Sequence, residues 1–413
     1  VPSYGWIIVA VSTIACSLAW SVRSTFALFY VALLDEFGWQ RGQAALGYSL
    51  SWLLLIVFSP LAGWLYDRVG ARRVVALGGL VLGAGMALTG QVQTPWAYYL
   101  VFGVLGAAGI ALIMMPAFAV ASRWFVRGRG TALGIISAGA SASAVIFYPV
   151  NAWLIGALGW RHAMAVYGLM IVLGVVPASL LSRSGPPAAA GGAARAAPGG
   201  VGGTEWTLRS ALATYQLWAA FAMWGLGVIG YQIMTTHQVA HALDRGFDAT
   251  TVAWVFGLGG GFTTLGNLAG GALSDRWGGA RVFALGSVIG VAGIVSFAQL
   301  GGPDAPARLF LYAAAGFGFG MRISLLSGIP ASLFQGPSFG AILGFVNAGG
   351  GLGGFIGPFL GGALFDLTGD YQLAFTVGAL AIVASAVAAW LAATPVSRVS
   401  SASQSPHRRS RCR

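Results

Sequence analysis

The amino-acid sequence predicts an all-α membrane protein of twelve transmembrane helices, arranged as two pseudo-symmetric six-helix bundles. Three observations support that fold class. Of its 413 residues, 57% are hydrophobic and 8% charged, where a soluble globular chain carries about 25% charged residues. Apolar stretches of about 18 residues or more recur along the chain, each long enough to cross a hydrocarbon core of about 30 Å as a helix. The second half of the chain also repeats motifs of the first.

The apolar stretches fall near 4–34, 43–64, 73–93, 96–121, 131–157, 162–182, 214–240, 251–273, 281–300, 307–334, 339–365 and 372–393. The first has no basic segment before it and runs too long for a signal peptide, so it reads as a retained helix. The chain starts at valine, and a short preceding piece is expected to be missing. Residues 183–205 are rich in Gly, Ala and Pro and poor in large apolar groups, which predicts a linker. The expected organisation is a bundle over 1–182, a cytoplasmic linker over 183–212, a second bundle over 213–395 and a disordered basic tail over 396–413.

The repeat is read from two motif pairs. GWLYDRVGARR at 63–73 matches GALSDRWGGAR at 271–281, and GTALGIISAG at 130–139 matches GAILGFVNAG at 340–349. The two offsets, 208 and 210, agree closely, as expected for a parallel copy related by an axis along the membrane normal.

All 22 basic side chains are arginine, and the net charge is +12. In a soluble chain that balance would suggest a nucleic-acid partner. Here the partner is the bilayer, with no nucleic acid, because sixteen arginines fall on one side of the proposed membrane and only Arg41, Arg161, Arg245 and Arg308 on the other. The positive-inside rule therefore predicts both termini in the cytoplasm. Cys16 and Cys412 form no disulfide framework.

Two arginines remain, Arg23 and Arg322, and both lie about 16 to 18 Å from a helix end, near the midplane. An intramembrane arginine costs about 2.5–3.5 kcal/mol on insertion scales and must face a cavity or a partner. All ten acidic residues lie in loops or at helix ends. The missing counter-charge is therefore expected to come from an anionic substrate held by the two guanidinium forks. Other polar groups at suitable depth are Tyr231, Gln232, Thr263, Asn267, Tyr148 and Asn347. Met114 and Met115 and the glycine run at 349–362 read as packing, and His237 and His241 as interfacial residues at a helix end. None of the four histidines has partners at metal-ligand spacing, so neither metal nor cofactor is expected and no enzyme signature is present.

The motif carrying Gly63, Asp67, Arg68, Gly70, Arg72 and Arg73, with its degenerate copy at Asp275 and Arg276, resembles the loop signature of the major facilitator superfamily. In that family these residues latch the halves during gating and do not bind substrate. Tyr4-Gly5-Trp6, SRWFVRGRGTALGIISAG at 122–139 and Gly159-Trp160-Arg161 resemble the monocarboxylate porter and oxalate:formate antiporter branch. The resemblance implies a cavity lined by the first, fourth, seventh and tenth helices, a basic substrate ligand at Arg23 and a size-restricting phenylalanine at Phe319. The proton-carrying aspartate and arginine of the porters' eighth helix are replaced here by Thr263 and Asn267.

The expected function is alternating-access transport of a small organic anion, a mono- or dicarboxylate, across the inner membrane by a carrier functional as a monomer. Three alternatives stay open: proton-coupled monocarboxylate symport, efflux of drug-like compounds, which ordinarily needs a membrane-embedded acid, and a non-transporting sensor on the same fold.

Overall fold

The computed structural model describes residues 2–125, 129–182, 206–304, 306–334 and 338–394, which are helical apart from short connections. Arg127, the glycine-rich stretch at 183–205 and the tail from 396 lie outside them. Among the described residues ten segments are long and apolar enough to cross a membrane. One of these, α7 (Arg129–Leu180), is two crossings joined at Gly159, where φ is 73° and the helix turns back. A further helix, α10 (Ala249–Trp277), runs full length beside them with a surface rich in glycine. With α7 taken as two and α10 added, the long described helices number twelve.

The remaining elements follow in order. The first crossing is broken into α1 (Pro2–Ser24) and α2 (Phe26–Phe37). Ser24 and Thr25 cause the break: both hydroxyls, together with the Thr25 N–H, donate to the Ser21 carbonyl, a local bonding pattern that competes with a straight helix. Next come α3 (Arg41–Val69) and α4 (Ala71–Thr89). The fourth crossing is built from α5 (Pro95–Tyr98), a π-helical stretch (Tyr99–Leu105) and α6 (Gly106–Trp124). It starts where Thr94 accepts from the Ala97 N–H and proline occupies the first helical position.

A short helix, α8 (Leu208–Leu212), is set by a reciprocal capping box between Thr207 and Ser210. Trp206 meets Phe334 edge-on at 5.3 Å. Part of the segment expected as linker is thus ordered against the second half. Then follow α9 (Tyr215–Asp244), α10, α11 (Gly279–Ala298), α12 (Ala307–Leu333), α13 (Phe339–Thr368) and α14 (Gln372–Ala393).

The internal repeat reappears in the backbone. Among the described residues the positive-φ positions are six glycines in three pairs, Gly38 and Gly246, Gly70 and Gly278, Gly159 and Gly369, separated by 208, 208 and 210 residues. Each ends a helix at a corresponding turn, where only glycine avoids the Cβ clash of left-handed backbone.

Helices meet backbone to backbone where glycines face one another, the packing a bilayer favours because lipid gives no hydrophobic drive between helices. A Cβ added to Gly266 would stand 1.9 Å from the Phe317 carbonyl, and one on Gly320 would stand 2.0 Å from the Thr263 carbonyl, which locks α10 against α12. Glycines also bring the two halves together. Gly351 and Gly354 of α13 sit on Ile56 and Trp52 of α3, and Gly260 of α10 sits on Ala144 of α7. Large apolar side chains such as Trp153, Leu173 and Leu380 point outward at more than 60% exposure, onto the surface a bilayer would cover.

Candidate substrate-binding site

Between the halves lies a cavity of about 110 Å³. It is lined from α1, α3 and α7 of the first half and from α9, α10 and α12 of the second. The broken first crossing presents Arg23 one residue before its break, as in carriers that build their sites on discontinuous helices.

Arg23 is 5% exposed. Its guanidinium lies 4.0 Å over the Trp52 ring, and Nη2 donates to the Ser51 carbonyl at 3.2 Å and the Ser51 hydroxyl at 3.3 Å. Nε and Nη1 have no hydrogen-bond partner. Among the described residues neither an acid nor a second cation lines the cavity. The aromatic face anchors the cation, and two of its nitrogens remain buried without a partner.

The opposite wall is a polar stripe on α9. Tyr231, Thr235 and Gln238 recur at helical spacing with Gln232 beside them. Two of these reach across to the first half: Gln232 Nε2 donates to the Tyr48 hydroxyl at 3.1 Å and Gln238 Nε2 to the Tyr148 hydroxyl at 2.8 Å. Tyr312 of α12 donates to Gln238 Oε1 at 2.9 Å. Phe319 closes one side, edge-on to Tyr231 at 5.5 Å.

Of the residues expected from sequence, Arg23, Tyr148, Tyr231, Gln232, Thr263 and Phe319 line this cavity. Arg322, Asn267 and Asn347 do not. Arg322 turns into the second half, where Nη2 donates to the Ser385 hydroxyl at 3.0 Å and the guanidinium lies 4.7 Å over the Phe283 ring. Gly227 and Gly286 make the slot: a Cβ on Gly227 would stand 2.7 Å from Arg322 Nη2, and one on Gly286 would stand 3.1 Å from its Cγ. Asn347 is exposed on α13. The expected helix set also changes, since the fourth crossing supplies no lining residue while α3, α7 and α10 do.

Sequence reasoning missed Trp20, Tyr48, Trp52, Thr235, Gln238 and Tyr312. Extending the stripe begun at Tyr231 by one and two turns would have found Thr235 and Gln238. Tyr48 and Trp52 carried no comparable signal, because aromatic residues one turn apart are equally the mark of a packed or lipid-facing helix.

The loop motif forms contacts within its own half. Asp67 pairs with Arg123 at 3.1 Å, and Arg68 stacks 4.0 Å from the Trp64 ring. Gly70 makes the turn between α3 and α4 at a φ of 82°. Gly63 has open space where its Cβ would be. Arg72, Arg73, Asp275 and Arg276 are exposed. His237 and His241, expected at the interface, are buried at 0% and 3% exposure between aromatic rings.

The family model for the Major Facilitator Superfamily matches residues 9–321 and again 233–411. The chain belongs to the Major Facilitator Superfamily. Among curated relatives of this facilitator, Monocarboxylate transporter 11 of Mus musculus is 29% identical over 91% of the chain and 84% of its own length. Monocarboxylate transporter 13 of Rattus norvegicus is 28% identical over 93% and 88%. Among solved structures, a variant of the nucleoside transporter NupG superposes with a TM-score of 0.73 at 14% identity, over 94% of this chain and 98% of its own. A bacterial homologue of the human lysosomal transporter Spinster, inward-facing and unoccupied, does so with a TM-score of 0.68 at 16% identity, over 94% and 95%. At those identities the superpositions speak to the fold alone. The facilitator is a multi-pass membrane transporter, monocarboxylate-transporter-like in sequence, and the family is one of carriers rather than enzymes.

Proposed function

We propose that this facilitator carries a small monocarboxylate by alternating access, with Arg23 as the anion ligand. The observation that carries the reading is that, among the described residues, the cavity is lined by a single guanidinium, with two of its nitrogens buried unpaired and no acid beside it. One cation matches one carboxylate. A dicarboxylate would bring a second charge, and the other midplane arginine, Arg322, is engaged elsewhere. The size also fits, since an engineered cavity of about 150 Å³ admits benzene, and about 110 Å³ suits an acid of a few carbons. The names of the relatives agree. The arginine asymmetry favours a plasma or inner membrane topology with both termini in the cytoplasm. A drug exporter of the usual kind would need an embedded acid in the cavity.

The test is binding and flux together. Purified protein screened against mono- and dicarboxylates of two to six carbons should melt higher with a short monocarboxylate, and the same compound should enter proteoliposomes. Binding without flux would favour the sensor reading, and stabilisation by dicarboxylates alone would overturn the monocarboxylate assignment. Phe319 gives a second handle. It packs against Tyr231 and closes the cavity, so Phe319→Ala should admit acids two or three carbons longer while keeping the short one. A substrate range unchanged in competition assays would place Phe319 in packing alone.

A further inference from the structure

At the end of the molecule opposite the linker, α3 begins with an unusual cap. A helix start leaves backbone N–H groups without intrahelical partners, and these carry the positive end of its dipole. The N-cap residue Gln40 gives no side-chain bond. The cap comes from the other half: the Asp366 carboxylate of α13 accepts from the Arg41 N–H and from the Gly42 N–H, each at 2.8 Å.

The Arg41 side chain then binds three helices of the second half. It pairs with Asp244 at the end of α9 at 2.8 Å, lies 3.7 Å over the Phe365 ring of α13 and donates to the hydroxyl of Tyr371, the N-cap residue of α14. Its carbonyl accepts from Tyr30 of α2 at 3.0 Å. Behind it, the buried His237 meets the Pro358 carbonyl at 2.9 Å and the Tyr371 hydroxyl at 3.3 Å. The backbones leave no room for side chains, since a Cβ on Gly362 would stand 2.5 Å from Gly42 N. Among the described residues the linker end shows no matching bridge: Asp67 pairs with Arg123 of its own half, and Tyr215 bonds Thr394 of its own half.

We infer that Arg41 and Asp366 form a clasp that holds the far end shut, and that its strength sets which way the empty carrier faces. Exposing the cavity to the far side separates α3 from α13, so the charged cap, the ion pair and the ring stacking must all be released together. Weakening the clasp therefore populates the state open to the far side. The inference rests on the alternating-access reading and is independent of the substrate.

The test uses the full chain with Cys16→Ala and Cys412→Ser, and Ser24→Cys as a reporter in the cavity wall. A membrane-impermeant maleimide is applied to right-side-out and to inside-out vesicles. Asp366→Asn should raise labelling from the far side at least tenfold and lower it from the linker side. Arg41→Lys should give a smaller rise, since lysine keeps a charge for Asp244 but lacks the planar face that lies on Phe365. Folded Asp366→Asn with unchanged labelling from both sides overturns the clasp. Should that variant fail to fold, Asp244→Asn, which removes the ion pair to the Arg41 side chain and leaves the Asp366 cap in place, is expected to give about a threefold rise, and no rise there overturns it equally. Labelling needs no transported compound, so a carrier that moves no monocarboxylate yet shows the shift keeps the clasp and loses the substrate assignment.

Discussion

Arg23→Gln is expected to abolish saturable binding and transport of the monocarboxylate while the protein still folds. The guanidinium lines the cavity and holds Ser51 and Trp52, while its Nε and Nη1 are buried without a hydrogen-bond partner. Glutamine retains a donor for Ser51 and removes the charge that faces the guest. Losing the charged partner of a desolvated anion costs on the order of 2–5 kcal/mol, so affinity should fall at least tenfold and up to several thousandfold. Arg322→Gln provides the contrast. Its partners are Ser385 and Phe283, away from the cavity. Glutamine can still donate to Ser385, and affinity for the short monocarboxylate should stay within about threefold. Equilibrium binding to both purified variants decides this. Equal, severe loss in both would mean that Arg322 swings into the site during the cycle and would restore the two-arginine grip that sequence alone suggested.

What sequence could and could not say differs between these two arginines for a physical reason. Depth along a helix follows from counting residues at 1.5 Å each, and both midplane positions were legible that way. The direction a side chain faces needs the rotation of the helix against its neighbours. Arg322 is three residues after Phe319, which places it roughly 60° around the helix axis, enough to move it from the cavity wall into the slot left by Gly227 and Gly286. Those glycines lie 95 and 36 residues from Arg322 in the chain, and no local pattern announces their meeting. The helical membrane fold and the repeat were legible because they depend on composition and on turn glycines such as Gly70 and Gly278. The Arg41 and Asp366 contact was not, because two charges at helix ends look like ordinary interfacial residues until a fold brings them together across 325 positions.

Exchange should run at least tenfold faster than net uptake, and an imposed inward proton gradient should not drive accumulation. A proton symporter needs a titratable group that meets the transport pathway from each side in turn, normally a carboxylate, and among the described residues neither an acid nor a histidine lines this cavity. His237 is nearest in sequence to the α9 stripe, yet it is fully buried in the far-end seam with its ring nitrogens on Pro358 and Tyr371. An empty carrier must reorient with the unpaired donors of Arg23 enclosed, and an uncompensated buried charge is expensive. The bound carboxylate removes that cost, which favours the loaded form in both directions. Each 1.36 kcal/mol of barrier is tenfold in rate, so even a modest penalty on the empty carrier separates the two modes. The measurement is uptake into proteoliposomes with and without internal substrate, using an acid whose pKa is low enough to keep it ionised throughout. His237→Gln, which can still donate to the Pro358 carbonyl, should retain exchange. Accumulation above equilibrium without internal substrate under the pH gradient would establish proton coupling and reassign the carrier as a symporter.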